Sequence, residues 1–414
     1  MIRSTLYWLA GLGALGLALW AGNELRRVQD AAGLTREARL VLDAPLARAP
    51  ELSGIEAARA VMLLEDSLRT HDDEAARGLL WQARALDDYL KGRPGRAAQH
   101  LQQARDALGE QPDLLVLAAT LAADRGELEA AERVLERGLS AHGQHERLRL
   151  SAVDLALDRE QPARALGLLG PLLEAHPEMA GLHNRRGLAR EAAGDLDAAL
   201  QSYLRAAELA PSLHQPLVNV GRLRHAAGEY RAAEDAFSAA IGRAEAQAEA
   251  WLGRGLSRRA QGDLAGGALD VEKARQLAPG AAGPLLAQAD LDAAAGELGT
   301  AIDRYLAVLV ITPDDPVAWL KLGNAQVRNG TPGEARSSFE RALELQPSMA
   351  AAHNGLGAAL LQLGQHEEAS AMLLRASELD RSDPNPLLNL ARLRRTQGDT
   401  RGAAQAEQAA LALR

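Results

Sequence analysis

Residues 187–228 read GLAREAAGDLDAALQSYLRAAELAPSLHQPLVNVGRLRHAAG. Two helix-forming runs, rich in Ala, Leu, Arg and Glu, are parted by Gly194-Asp195, and Pro211 ends the second of them. Glycine supplies the left-handed conformation that closes a helix, an acid favours the start of the next, and proline stops a helix that has run its length. The stretch therefore predicts a helix-turn-helix unit, and its two ends, Gly194 and Gly228, lie 34 residues apart.

The same register runs through most of the chain. Gly262, Gly296, Gly330, Gly364 and Gly398 follow at steps of 34, and stepping backwards reaches Glu160, Gly126 and Gly92. Five residues beyond each turn stands a small residue: Ala97, Ala131, Ala165, Ala199, Ala233, Gly267, Ala301, Ala335, Ala369 and Ala403. Four further on stands a large apolar one, as at Leu101, Leu135, Leu169, Tyr203, Phe237, Val271, Tyr305, Phe339 and Leu373. A second small position follows three later at Ala104, Gly138, Ala206, Ala240, Ala274, Ala342, Ala376 and Ala410, with Leu172 and Val308 departing from it. Small positions let the helices of a unit approach closely, and the large one fills the space between successive units. Helix-ending prolines recur at Pro177, Pro211, Pro279, Pro313 and Pro347.

This pattern resembles the tetratricopeptide repeat, a helix-turn-helix of 34 residues, over residues 78–414 or about ten units. Trp81, Trp251 and Trp319 match the family's aromatic near the start of the first helix. Gly187, Gly221, Gly255, Gly323 and Gly357 match its small helix-crossing residue. Glu160 in place of a turn glycine, and Gly109 and Gly143 in place of prolines, are the departures. The resemblance implies an all-α, right-handed superhelical solenoid with a concave channel, because each unit buries its apolar face only against its neighbours. Glu407, at the large apolar position of the last unit, fits a final helix whose outer side meets water.

Composition agrees with an all-helical chain: aromatics are 3% of residues and there is no cysteine, so disulfides, thiolate catalysis and Cys-based zinc sites are excluded. A net charge of −9 without a Lys/Arg block argues against a nucleic-acid partner.

Ser4 to Asn23 carries no charge, and 20 helical residues span about 30 Å, the thickness of the bilayer hydrocarbon. Tyr7, Trp8 and Trp20 stand near its ends and Arg26-Arg27 follow it, so residues 1–23 are expected to form a single transmembrane anchor. Ala10, Ala14, Ala18 and Gly22 line one face of that helix with small side chains, on which another transmembrane helix would pack. Gly11 to Gly16 matches a dinucleotide-binding glycine pattern by chance, since no strand precedes it, and no cofactor is expected. Arg26, Arg27, Arg36 and Arg39 after the span lean towards a cytoplasmic repeat body at a bacterial inner membrane, with a periplasmic body as the alternative. Residues 24–77, broken by Pro45 and Pro50, read as a linker with capping helices, and 78–414 as the repeat domain.

Anchor, linker and repeats use the whole chain and leave no room for a separate catalytic domain, so no enzyme is expected and no small-molecule substrate. His142, His145 and Glu146 lack a metal-ligand spacing, and Asp72-Asp73-Glu74 and Asp87-Asp88 read as helix-terminal or solvated acids. In the family, the first helix of each unit lines the groove. In register, that face carries Asn184, Asn219, Arg222, Arg259, Asn324, Arg328, Asn354, Asn389, Arg392 and Arg395. Asn can bond a peptide backbone as donor and acceptor, and Arg can hold carboxylates, so an extended, acidic protein segment is the expected partner. The family's carboxylate-clamp pattern is not reproduced here. The expected function is a membrane-anchored scaffold or adaptor for an envelope assembly process, with a holding chaperone or a regulatory subunit of an enzyme complex as alternatives.

Overall fold

The computed structural model describes residues 31–36 and 50–413, and every regular element among them is helical. Residues 31–36 (α1) precede α2 (Pro50–Thr70), α3 (Glu74–Leu90), α4 (Pro94–Leu108), α5 (Pro112–Asp124) and α6 (Leu128–Ala141). Then come α7 (Glu146–Asp158), α8 (Pro162–Ala175), α9 (Ala180–Ala192) and α10 (Leu196–Leu209). The contacts divide the chain after Ala210 into two compact units, so these helices form the first.

The second unit begins with α11 (Gln215–Ala226), α12 (Tyr230–Arg243), α13 (Ala248–Ala260), α14 (Leu264–Leu277) and α15 (Ala282–Ala295). It continues with α16 (Leu298–Ile311), α17 (Pro316–Arg328), α18 (Pro332–Leu345), α19 (Ala350–Gln362), α20 (His366–Leu379), α21 (Asn385–Thr396) and α22 (Thr400–Leu411). Odd-numbered helices from α3 onwards are the first of a repeat, even-numbered ones the second.

The turns follow the glycine register. Gly92, Gly126, Gly194, Gly228, Gly262, Gly296, Gly330, Gly364 and Gly398 all have φ between 68° and 93°, in the left-handed region. Glu160 stands at the same place with φ 54°, a conformation that its side chain opposes. The acid after the turn divides by length. Asp195, Asp263 and Asp399 accept from the amides of Ala198, Gly266 and Gly402 at 3.3, 2.9 and 2.8 Å. Glu127, Glu229 and Glu297 make no such cap, since the extra methylene carries the carboxylate past the amides.

Within each unit the register builds the core. Ala97, Ala165, Ala199, Ala233, Ala301, Ala335 and Ala369 are wholly buried, and so are Ala104, Ala206, Ala240, Ala274, Ala342 and Ala376. The large position is buried wherever it occurs, from Leu101 to Leu373, and Leu172 and Val308 are buried at the second small position. The helix-crossing glycines explain how. A Cβ on Gly221 would lie 2.8 Å from the Phe237 ring, and one on Gly323 2.7 Å from the Phe339 ring. Gly253 on α13 and Gly355 on α19 face the same rings from the next repeat, so each phenylalanine is held between two glycines. Ahead of the repeats, α2 packs on α3 through Ala60, Leu64, Ala76 and Leu80.

Among the described residues no helix is long and apolar enough to cross a membrane. The stretch from Ser4 to Asn23, with Ala10, Ala14, Ala18 and Gly22, lies outside them.

Candidate functional site on the first helices

Burying the small positions of a first helix against its second helix leaves the opposite face, with residues of different register, for solvent or a partner. Arg222, Asn324 and Arg392 share one register position, on α11, α17 and α21, and all three are exposed. Asn389 donates to Asn354 at 2.9 Å, which joins α21 to α19 along this face. Arg328 reaches back from α17 to the carbonyl of Ala293 on α15 at 2.9 Å. Asn184 is half-buried on α9, and Asn219 is buried on α11 at 4% exposure. Arg259 and Arg395 share another register position, and both lean towards their own second helix. The stem of Arg259 lies over Gly267 of α14, and Arg395 bonds Glu407 of α22. The structure thus brings Asn354 and Asn389 together and leads Arg259 and Arg395 to the edge of the face.

The structure adds side chains that join consecutive first helices. Arg185 of α9 grips Asp154 of α7 through two nitrogens, one of them at 3.0 Å. Lys321 of α17 joins Asp290 of α15 through its single ammonium, and Asp290 also accepts from Tyr305 at 2.7 Å. Burial first, then that hydrogen bond, holds the Tyr305 phenol far above its ordinary range. Both pairs are separated by 31 residues, an acid and a base one repeat apart less one helical turn, and that spacing is the sequence signal that finds them. Arg147 of α7 bonds Asp113 of α5 at 3.2 Å.

The remaining charged clusters have local partners. His145 caps α7 through Nδ1, Glu146 meets His176 at 2.7 Å, and among the described residues no group of ligating side chains could hold a metal ion. Asp73 caps α3, accepting from Ala76 at 3.1 Å, while Asp87 holds Lys91 at 2.7 Å. A buried network lies off the face: Asp270, 3% exposed, takes Arg254 and Arg258, and Arg258 also pairs with Glu234 at 2.7 Å. That bond from Arg258 holds the Glu234 carboxyl below its ordinary value.

Paired helices on a fixed period, with polar ladders along one face, define an α-helical repeat protein. The chain belongs to the tetratricopeptide repeat family: one profile matches residues 150–214, 221–282, 285–350 and 320–386, and a second matches 89–152. Among curated proteins it is similar to the peroxisomal targeting signal receptor of Candida albicans, at 33% identity over 78 residues, 19% of this chain and 13% of the receptor. The Candida glabrata receptor is 32% identical over 80 residues, 19% of this chain and 14% of its own length. The chain therefore spans only a small part of these relatives. Among solved structures, the APC/C hetero-tetramer Cut9-Hcn1 contains a chain with a TM-score of 0.53 at 15% identity, covering 89% of this chain and 92% of that one. At that identity the likeness speaks for the fold alone. Yeast Tom70 aligns with a TM-score of 0.43 at 15% identity over 93% of this chain and 92% of its own.

Proposed function

We propose that the chain is a non-catalytic adaptor that holds a partner protein along the face of its first helices, as tetratricopeptide repeats typically do. The observation that carries this reading is the row Arg222, Asn324 and Arg392, exposed at one register position of the second unit. These three side chains stand on α11, α17 and α21, with Leu256, Asp290 and Ala358 at the same position of the first helices between, so they meet an extended segment at intervals, and Arg adds bidentate recognition of carboxylates. Arg328 stands on the same face bonded to the neutral carbonyl of Ala293, so with Arg222 and Arg392 it favours an acidic segment. In this reading residues 1–23 anchor the chain in a bacterial inner membrane, 24–77 form the linker and cap, and 78–414 the repeat domain, on the cytoplasmic side. The uncharged stretch from Ser4 to Asn23 and the arginines after it support that layout. The partner then belongs to an assembly process of the cell envelope.

A pull-down from membranes, with the native chain and with Arg222→Ala/Arg392→Ala, tests the adaptor role. One folded partner in fixed ratio, lost with the variant, is the expected result. A broad set of unfolded clients would instead identify a holding chaperone, and a catalytic partner a regulatory subunit. A cytoplasm-only reporter fused after Arg414 should be active, and activity of a periplasm-only reporter would reverse the topology.

A further inference from the structure

The first unit presents a face of different chemistry. Around the hollows of this face stand Asp113, Asp124, Asp154 and Asp158, and the cations that reach it, Arg147 and Arg185, are already bonded to Asp113 and Asp154. Two adjoining hollows open on this face and share Thr120. One, of about 150 Å³, lies between α3 and α5 and is walled by Leu86, Tyr89, Val116 and Leu117. The other, of about 190 Å³, lies between α5 and α7, with Ala119, Ala123 and Leu155 as apolar wall and Asp124, Asp154 and Asp158 at its margin. Asp158 meets no cation among the described residues; the surrounding protein and then the Asp154 charge push its carboxyl above the ordinary value. Burial and Asp124 likewise hold the Tyr89 phenol up.

We infer that this face of the first unit docks an extended polypeptide segment of a partner protein that places an apolar side chain in the first hollow and an adjacent Lys or Arg in the second. Lysine and arginine suit the second hollow because their apolar stems cover alanine and leucine while the charged head reaches the carboxylates. The apolar hollow beside it makes the face more than a general attraction for cations, since it asks for a mixed basic and apolar sequence. The chain would then hold segments of opposite charge on its two units. The inference rests on the reading that first-helix faces hold polypeptide, and its test separates the two.

Short labelled peptides of alternating leucine and arginine, and of alternating leucine and glutamate, are titrated against the full chain by fluorescence anisotropy. The leucine–arginine peptide should bind, and Asp124→Asn/Asp158→Asn should weaken it about tenfold, equivalent to roughly 1.4 kcal/mol, without changing the leucine–glutamate peptide. Ala123→Met, which fills the second hollow and leaves every charge in place, should weaken it as well. Circular dichroism checks that each variant keeps its helix content. Equal weakening by Asp66→Asn/Asp72→Asn, on acids away from this face, would reveal general charge attraction and overturn the inference. So would unchanged affinity in the Asp124/Asp158 variant. If the leucine–glutamate peptide alone binds, this inference fails and the adaptor reading stands; if neither binds, both fail.

Discussion

At the scale of single residues, Glu160 shows how a repeat tolerates a poor choice at one copy. It is exposed and adopts φ 54° where the other repeats have glycine, so its Cβ bears the steric cost of the left-handed region. Glu160→Gly should raise stability by roughly 1 kcal/mol, the strain relieved less the extra freedom of glycine in the unfolded chain, read from the urea midpoint. Gly194→Ala should lower it by a similar amount. His183 offers a second test. It is 6% exposed on α9, bonds the Pro177 carbonyl at 2.7 Å through Nε2 and meets Arg186 at 2.9 Å through Nδ1. Burial first, and the Arg186 charge after it, lower its pKa. A lowered folded pKa means that the unfolded chain takes the proton first. Stability is thus undiminished above about pH 6.5, falls as pH drops below that value, and levels off beneath the folded pKa. The urea midpoint of the native chain should decline through this window more than that of His183→Gln, and parallel declines would assign the effect to other groups. Turn glycines and small positions were readable in the sequence because backbone conformation and helix spacing admit few residue types. The role of His183 was not, because it depends on where Pro177 and Arg186 place their polar atoms.

At the scale of helices, the wedge residue decides how neighbouring repeats meet. The chain's two phenylalanines, Phe237 and Phe339, each precede a glycine of the next repeat by 16 residues, Gly253 and Gly355. Tyr305 in the same register precedes Lys321, whose ammonium shares Asp290 with the tyrosine hydroxyl. Each phenylalanine ring thus meets no side chain at that place of the next repeat, whereas Tyr305 meets a lysine that shares its hydroxyl's partner. Phe237→Ala should cost roughly 3–5 kcal/mol, because the glycines on both sides offer no Cβ to fill the cavity. Gly253→Ala alone should also destabilise, by forcing a methyl group into the ring. In the double variant the added methyl enters vacated space, so the combined loss should be smaller than the sum of the single losses. Strict additivity in that cycle would contradict the packing described for α11, α12 and α13. The second glycine of each sandwich escapes a reading based on period alone, because most repeats have other residues there. The same holds for Asp154 with Arg185 and Asp290 with Lys321. Their spacing is 31, not 34, and a strict register does not pair them.

At the scale of the molecule, each core cluster draws on a few consecutive helices. Ala289, Tyr305 and Leu322 gather α15 to α17, and Phe339, Leu356, Leu373 and Leu390 gather α18 to α21. The division into two compact units after Ala210 leaves no mark in the sequence, since the glycine register passes through Gly194 and Gly228 without interruption. Period reports what each repeat needs from its neighbour, and that need is the same on either side of the division. Stability in such a chain is a sum of repeat terms and nearest-neighbour terms, so loss of an end should be felt locally. Deleting residues 384–414 removes α21 and α22, and with them the small cluster of Ala391, Ala403 and Ala406. It also strips Leu390 and Leu393 from Leu360 and Leu373, so α19 and α20 acquire an apolar outer surface. The shortened chain should aggregate more readily and fray at its new end, while its helical circular-dichroism signal falls about in proportion to the helices removed. Amide exchange should rise in α19 and α20 and stay unchanged in α3 to α10. Loss of the whole helical signal on removing that last pair would show that the clusters are coupled over the full length, and would overturn the nearest-neighbour account.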